Sequence, residues 1–245
     1  MYIIFSDRQD PAYHLALEEY LFGRISDEFA LFYVNAPCVI IGCNQVLENE
    51  VDIDFCKQNA IPVLRRMSGG GAVYHDFGNL NYSFITNKSG KKTGLNAEFL
   101  KPVIAALTYF GVIPLVGKRK DLWLPDGFKI SGTAAHITAN RTLHHGTLLY
   151  DTDLEMLSAC LSPKTIRPEL KGIASVPSPV KNIHAYLQEN NLPHYQAAVF
   201  VKKFIEKMKI VEGFPPVFKI DAQTQAEIEL LADNKYRSDS WNRKK

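Results

Sequence analysis

The stretch Arg65-Arg-Met-Ser-Gly-Gly-Gly-Ala-Val-Tyr-His-Asp-Phe-Gly-Asn79 gathers groups suited to holding an anion. Three consecutive glycines let the backbone approach a ligand with no Cβ in the way and turn several amides toward negative charge. Arg66 adds a charge, Ser68 a hydroxyl and His75 an imidazole. Phosphate or carboxylate would suit such a loop. It lacks the Gly-Lys-Ser/Thr ending of a Walker loop and the spacing of a GxGxxG fingerprint. A tight hairpin turn is the competing reading of triple glycine, and the arginines and His75 weigh against it.

A second stretch, Lys118-Arg-Lys-Asp-Leu-Trp-Leu-Pro-Asp-Gly-Phe-Lys-Ile-Ser-Gly-Thr-Ala-Ala-His136, supplies a lysine that could act on that anion. Asp126-Gly127 is a hairpin signal, which starts a strand at Lys129 beside Ile130, a core residue by its character. By base rate, a lysine so placed is an exposed strand residue. In His144-His-Gly-Thr-Leu-Leu, neighbouring strand residues point to opposite faces, so His144 and His145 cannot both serve one site or chelate one metal. HExxH, GxSxG and paired-carboxylate patterns are absent.

The elements that must position these groups alternate irregularly. Asp10-Pro11 followed by AYHLALEEYLF reads as a capped helix. Ala30 to Val34, Cys38 to Gly42, Ile61 to Arg66, Ala72 to His75 and Tyr82 to Thr86 read as strands with short turns. Asn96 to Phe110 has helical periodicity; Leu122 to Leu124, Phe128 to Ser131 and Leu143 to Tyr150 are further strands, and Asp153 to Leu161 is a capped helix. From Lys164 to Pro179 the chain turns rich in Pro, Ser, Lys and Gly, as a loop does. Two more helices are expected, from His194 to Ile210 and from Ala222 to Lys235. The pattern is α+β, a mixed β-sheet with flanking helices, because the strict βαβα alternation of a doubly wound fold is missing.

With 245 residues, 46% hydrophobic and 22% charged, the chain can bury a sizeable core in a single domain over 1–245. A formal charge of +2 gives no reason to expect nucleic acid. No apolar run approaches the roughly 20 residues of a membrane span, and the N-terminus lacks signal- or transit-peptide texture, which points to a cytoplasmic protein. Cys38, Cys43, Cys56 and Cys160 form no CxxC pair and read as reduced thiols.

Taken together, RRMSGGGAVYHDFGNLNYSF, KISGTA and LHHGTLL, in this order and separation, resemble the catalytic domain of the lipoate-protein ligase A family. The likeness runs from LALEEYL through KGIASVPSPVKNI to KYRSDSWN, nearly the whole chain. It implies the mixed-sheet α+β fold shared with biotin-protein ligases. The implied reaction is ATP-dependent activation of lipoate to lipoyl-AMP, then transfer to a carrier lysine. By matching positions, the resemblance makes Lys129 the catalytic lysine. It assigns Arg66 and Gly71, Ala72, Val73 and Tyr74 to the nucleotide–lipoyl intermediate, with Ser68, Gly70, His75, Asn79 and His145 completing the pocket. A lysine and oriented amides would neutralise charge that grows as a carboxylate attacks the α-phosphate. Mg2+ is expected on the phosphates of ATP. Lys118-Arg-Lys-Asp121 replaces the usual Gly-Arg-Asn-Asp, which leaves open whether Asp121 contacts a metal or a phosphate. Cys43 replaces a common arginine.

The implied partners are lipoyl carrier domains, namely 2-oxoacid dehydrogenase E2 subunits and the glycine cleavage H protein. The small C-terminal accessory domain of many ligases is expected to be absent, and a separate accessory subunit is one expectation that follows. The competing enzyme is a lipoyl or octanoyl transferase, either using a cysteine nucleophile or taking a preformed donor; none of the four cysteines stands where a catalytic one is expected, and Cys160 reads as a buried helix residue. A non-catalytic protein that binds lipoyl domains or lipoate is the alternative from another class. The loop from Lys164 to Asn182 is expected to act as a mobile lid, with Lys164, Arg167, Lys171 and Lys181 facing an acidic carrier.

Overall fold

The computed structural model describes residues 1–88, 97–213 and 215–244. Asp10 caps the first helix, α1 (Pro11–Arg24), its carboxylate accepting from the Ala12 amide at 2.9 Å. A five-stranded sheet runs in the order β1 (Tyr2–Ser6), β2 (Phe29–Tyr33), β6 (Asn79–Asn87), β11 (Arg141–Leu149), β10 (Thr133–Ile137). Its first pair is parallel and the others antiparallel, so the sheet is mixed.

Two smaller sheets flank it. One has the order β4 (Val63–Arg65), β3 (Cys38–Ile41), β5 (Val73–His75), and the other β7 (Leu115–Val116), β8 (Leu122–Trp123), β9 (Lys129–Ser131). In the first, β4 and β5 both pair with β3 and not with each other. The glycine run therefore crosses over the end of a strand and does not close a hairpin. Asp126-Gly127 does close one, between β8 and β9, with Gly127 at φ 89°.

Both faces of the large sheet are covered, which is why β2 reads as five buried residues in a row. Phe29, Leu31 and Tyr33 pack with α1, α8 (Ala222–Leu231) and Tyr236. Ala30 and Phe32 pack with α4 (Lys101–Thr108), α6 (Ile183–Glu189) and α7 (Ala197–Val211). A third core joins β3 and β5 to α2 (Leu47–Glu50), α3 (Ile53–Gln58) and α5 (Leu154–Cys160), with Cys56 and Cys160 buried in it. All four cysteines are free thiols. After α8 the chain makes a π-turn over Ala232–Tyr236 and ends in α9 (Asp239–Asn242). There Arg65 donates to the Asn242 carbonyl and the Trp241 indole donates to Arg65 O at 2.7 Å. Asn96, the start expected for the fourth helix, lies outside the described residues. Among the described residues no helix is long and apolar enough to cross a membrane.

His144 is fully buried and stacks on Phe99 at 5.0 Å, with no hydrogen-bond partner for either ring nitrogen. Burial, with His145 adding to it, pushes its pKa down to about 3, and burial likewise lowers His75 to about 3 and His14 to about 4. All three are neutral when folded and take up protons more readily when unfolded. Their contribution to stability is complete above pH 6.5, the ordinary imidazole value, and is lost as the pH falls toward 3 to 4. We expect urea melts to show stability dropping below pH 6.5 by up to about 1.4 kcal/mol per pH unit for each histidine. His144→Phe should flatten that slope by one group; an unchanged slope would show that His144 does not contribute.

Candidate functional site

Lys129 stands at the first position of β9, and its backbone is bracketed by the loop that follows α5. Its N–H donates to Pro179 O at 2.9 Å, and its carbonyl accepts from the Lys181 N–H at 3.2 Å. The ammonium lies 3.4 Å from Asp121 Oδ2, and the two side chains are only 19% and 4% exposed. A lysine opening a short strand is expected to be exposed; the tertiary structure instead seats this one in a pocket wall. Burial draws the Lys129 pKa down more than Asp121 draws it up, so it lies below the usual lysine value. Burial raises Asp121, but hydrogen bonds from Trp123 and Lys129 and the Lys129 charge outweigh it, and the carboxyl titrates below its usual range. Arg119 lies 3.7 Å from the same carboxylate. Beside them the Gly132 amide donates to Thr147 Oγ1 at 3.1 Å.

The glycine loop is knitted from within by Arg66. This guanidinium donates to Ser68 Oγ at 3.0 Å, Ile40 O at 3.1 Å, Gly69 O at 2.6 Å and Gly71 O at 2.8 Å. Burial lowers its pKa to about 10, which still leaves it a cation at neutral pH. Gly70 adopts φ 89°, a conformation that favours glycine, which lets the loop fold back over Arg66. Ser175 from the long loop rests on the other side: its Oγ accepts from the Ala72 amide at 2.9 Å and from Gln45 at 3.0 Å, and its own amide donates to the Glu50 carboxylate at 3.2 Å.

The inner end of the site is a buried polar network. Glu18, on α1, accepts from Tyr33 at 3.0 Å, from Ser83, and from His145 Nδ1 at 3.0 Å. Burial raises this carboxyl, yet the His145 charge and these hydrogen bonds together hold it below its usual range. His145 Nε2 lies 2.7 Å from Ser68 Oγ. Next to it, Asn35 links His14 Nδ1 at 2.6 Å to His75 Nδ1 at 3.0 Å.

Between these groups lies a cavity of about 420 Å³ whose wall includes Arg66, Gly70, Gly71, Ala72, Val73, His75, Asp121, Lys129 and His145. An adjoining cavity of about 730 Å³ shares Ala72, Val73, Lys129, Gly132 and Thr147 with it. Three expected residues do not line the first cavity. Ser68 is buried behind it, bonded to Arg66 and His145; Tyr74 faces the second cavity; and Asn79 bonds Asn81, which itself reaches the first cavity. Glu18, Tyr33, Asn35, Thr147 and Ser175 escaped the sequence reading. The signal that could find Glu18 is its place on the apolar side of the LALEEYL helix, since a carboxylate there needs buried partners.

The long loop is coil, and Ile166, Ile173 and Val176 in it are exposed while lining these cavities. Lys181, expected to face a carrier, is instead committed to Asp126 and Glu189, each at 2.8 Å, and Lys164 sits 3.3 Å from Asp52. Among the described residues no group of three or more His, Cys, Asp or Glu side chains could hold a metal. The arrangement offers an apolar-sided slot with the Lys129 cation at its outer end, suited to an acyl chain bearing an anionic head.

Comparison with known proteins agrees with that chemistry. The model of the lipoyl protein ligase A/B catalytic domain matches residues 10–209. The lipoate-protein ligase LplJ of Bacillus subtilis is 36% identical over 245 residues, covering 98% of this chain and 73% of the relative. Among solved structures, an archaeal bi-partite lipoate protein ligase from Thermoplasma acidophilum, described with its E2 lipoyl domain, superposes with a TM-score of 0.80 at 26% identity, covering 99% of this chain and 95% of the other. A lipoate-protein ligase A bound with ATP superposes at 0.81 with 25% identity, covering 99% and 98%.

Proposed function

This chain belongs to the lipoyl protein ligase A/B catalytic-domain family, and from that premise we infer its reaction: it is a lipoate-protein ligase that activates lipoate with ATP and passes the lipoyl group to a carrier lysine. The observation that carries the reading is the seating of Lys129 where the acyl cavity meets the second cavity, opposite the glycine loop. In the first half-reaction a lipoate carboxylate oxygen attacks the α-phosphorus, the O–P bond forms, and the bond to pyrophosphate breaks. Two anions must meet, and the Lys129 ammonium with the loop amides offsets the charge gathered there. In the second, the carrier amine attacks the acyl carbonyl, forming an amide, releasing AMP and losing a proton.

ATP binding by the superposed ligase supports a nucleotide in this reaction, and the second cavity, which shares Lys129 with the first, is where this reading places it. Mg2+ would be held mainly by the phosphates, since Asp121 is the carboxylate in the wall of the first cavity and its Oδ2 already faces Lys129 at 3.4 Å and Arg119 at 3.7 Å. Carrier domains of the E2 type are supported by the archaeal relative's pairing with an E2 lipoyl domain, and the glycine cleavage H protein belongs to the same reading. That relative is bi-partite, so a separately supplied accessory polypeptide is part of the proposal. Four free thiols support a cytoplasmic setting.

Lipoate-dependent exchange of pyrophosphate into ATP is the deciding assay, followed by transfer to an isolated lipoyl domain. Transfer from supplied lipoyl-AMP without exchange would leave a transferase, and lipoate binding with neither step would leave a binding protein. The segment from Lys164 to Asn182 acts in this reading as a lid that shields the mixed anhydride from water. Its exposed Ile166, Ile173 and Val176 would then meet the ligand. Amide exchange across it should slow on adding lipoyl-AMP; equal exchange with and without ligand would remove the lid.

A further inference from the structure

The two imidazoles at the inner end of the acyl cavity differ in what they have left to give. His145 is spent on both sides, on Glu18 through Nδ1 and on Ser68 through Nε2. His75 is held on one side only. Its Nδ1 meets Asn35 Nδ2, while Nε2 is buried, lacks a partner and belongs to a residue of the cavity wall. The Asn35 amide is oriented in turn by His14, whose Nδ1–H donates to Asn35 Oδ1 while its Nε2 can accept from Ser6 Oγ at 2.9 Å. With Asn35 donating to Nδ1, the proton of neutral His75 resides on Nε2, a buried donor without a partner on a residue of the cavity wall. His75 remains neutral because burial, then the Arg66 charge, lowers its pKa to about 3.

This end lies away from the reacting head. His145 and Thr147 share one face of β11, about 7 Å apart along the strand. Lys129 sits by Thr147 and Gly132, whereas Ser68 and Arg66 connect His145 to the loop beside His75. An acid whose carboxylate is at Lys129 therefore extends its tail toward His75.

Resting on the ligase reading above, we propose that Asn35, held by His14, sets His75 as an Nε2–H donor to the tail of the bound acid, and that this donor selects a ring disulfide over an unsubstituted fatty acid. A disulfide sulfur is a weak acceptor. A saturated tail offers none, so only the ring disulfide supplies a hydrogen bond to this already buried, unpartnered donor. Asn35 and His14 are positioning residues here, acting through His75.

The test compares kcat/KM for lipoate and for octanoate in pyrophosphate exchange. Asn35→Leu and His75→Phe should each shrink the lipoate-to-octanoate ratio, roughly tenfold, and the double variant should shrink it no further. A merely structural role would lower both acids by the same factor and leave the ratio unmoved, which overturns the proposal; so would additive losses in the double variant. If Asn35→Leu fails to fold, His75→Phe alone decides through the same ratio. Calorimetric titration of both acids without ATP separates this proposal from the ligase reading. Absence of exchange with retained lipoate preference in binding would refute the ligase and keep the selector, whereas equal binding of the two acids would refute the selector.

Discussion

Lys129→Ala should lower lipoate-dependent pyrophosphate exchange by about 10²- to 10³-fold, the scale of removing one group that stabilises transition-state charge. The ammonium stands at the junction of the two cavities, where the attacking carboxylate and the α-phosphate must approach each other. The substitution has a structural cost as well. Asp121, 4% exposed, would lose its partner at 3.4 Å and keep Arg119 at 3.7 Å and the hydrogen bond from Trp123. Removing one member of a buried pair is destabilising, so circular dichroism and a melt must accompany the assay. Lys129→Arg keeps the charge and separates the two effects: it should restore stability more than activity, since a planar fork cannot occupy the ammonium's position. Exchange within tenfold of the unmodified protein in a folded Lys129→Ala variant would remove Lys129 from the chemistry.

Gly71→Val should weaken lipoyl-AMP binding by roughly a hundredfold, a large effect for one side chain added at a loop. A Cβ on Gly71 would lie 2.9 Å from Ser175 Oγ, 3.3 Å from its Cβ and 3.4 Å from its Cα, and valine adds two methyls beyond that. The Ser175 backbone would have to withdraw, freeing the Ala72 amide and uncoupling Gln45 and Glu50 from the loop. Gly69 provides the control, because a Cβ there meets nothing within 4 Å. Gly69→Ala should bind lipoyl-AMP normally. Equal affinities for the two variants, measured by titration, would mean that contact with Ser175 has no bearing on the ligand.

The strands and helices that could be read from the sequence are those whose signals are local. Asp10-Pro11 set the start of α1, Asp126-Gly127 the β8–β9 turn, and the β-branched Val39, Ile40 and Ile41 the run of β3. Elements stabilised by partners were not read. β10, Thr-Ala-Ala-His-Ile, has weak intrinsic preference for a strand and exists because β11 pairs along its whole length. β1 is a five-residue run whose strand character depends on parallel pairing with β2. The short α2 and α3 have their place in the third core, against Cys160 and Tyr74.

The candidate site divides in the same way. Glycines, a lysine after a hairpin, and paired histidines are chemical types in a fixed order, and their order alone carried the family resemblance and with it the reaction. Which side of the wall each residue occupies was not encoded locally. Ser68 faces inward because Arg66 and His145 bond it; Arg66 spends most of its donors on the loop's own carbonyls; and Asn35, His14 and Glu18, from β2's end and α1, meet His75 and His145 only when the helix packs on the sheet. The sequence determined the kind of chemistry, because residue type and spacing along one strand or turn are local properties. The tertiary structure decided which nitrogen, hydroxyl or carboxylate remains free to meet a ligand, because a buried polar group takes its partners from distant parts of the chain.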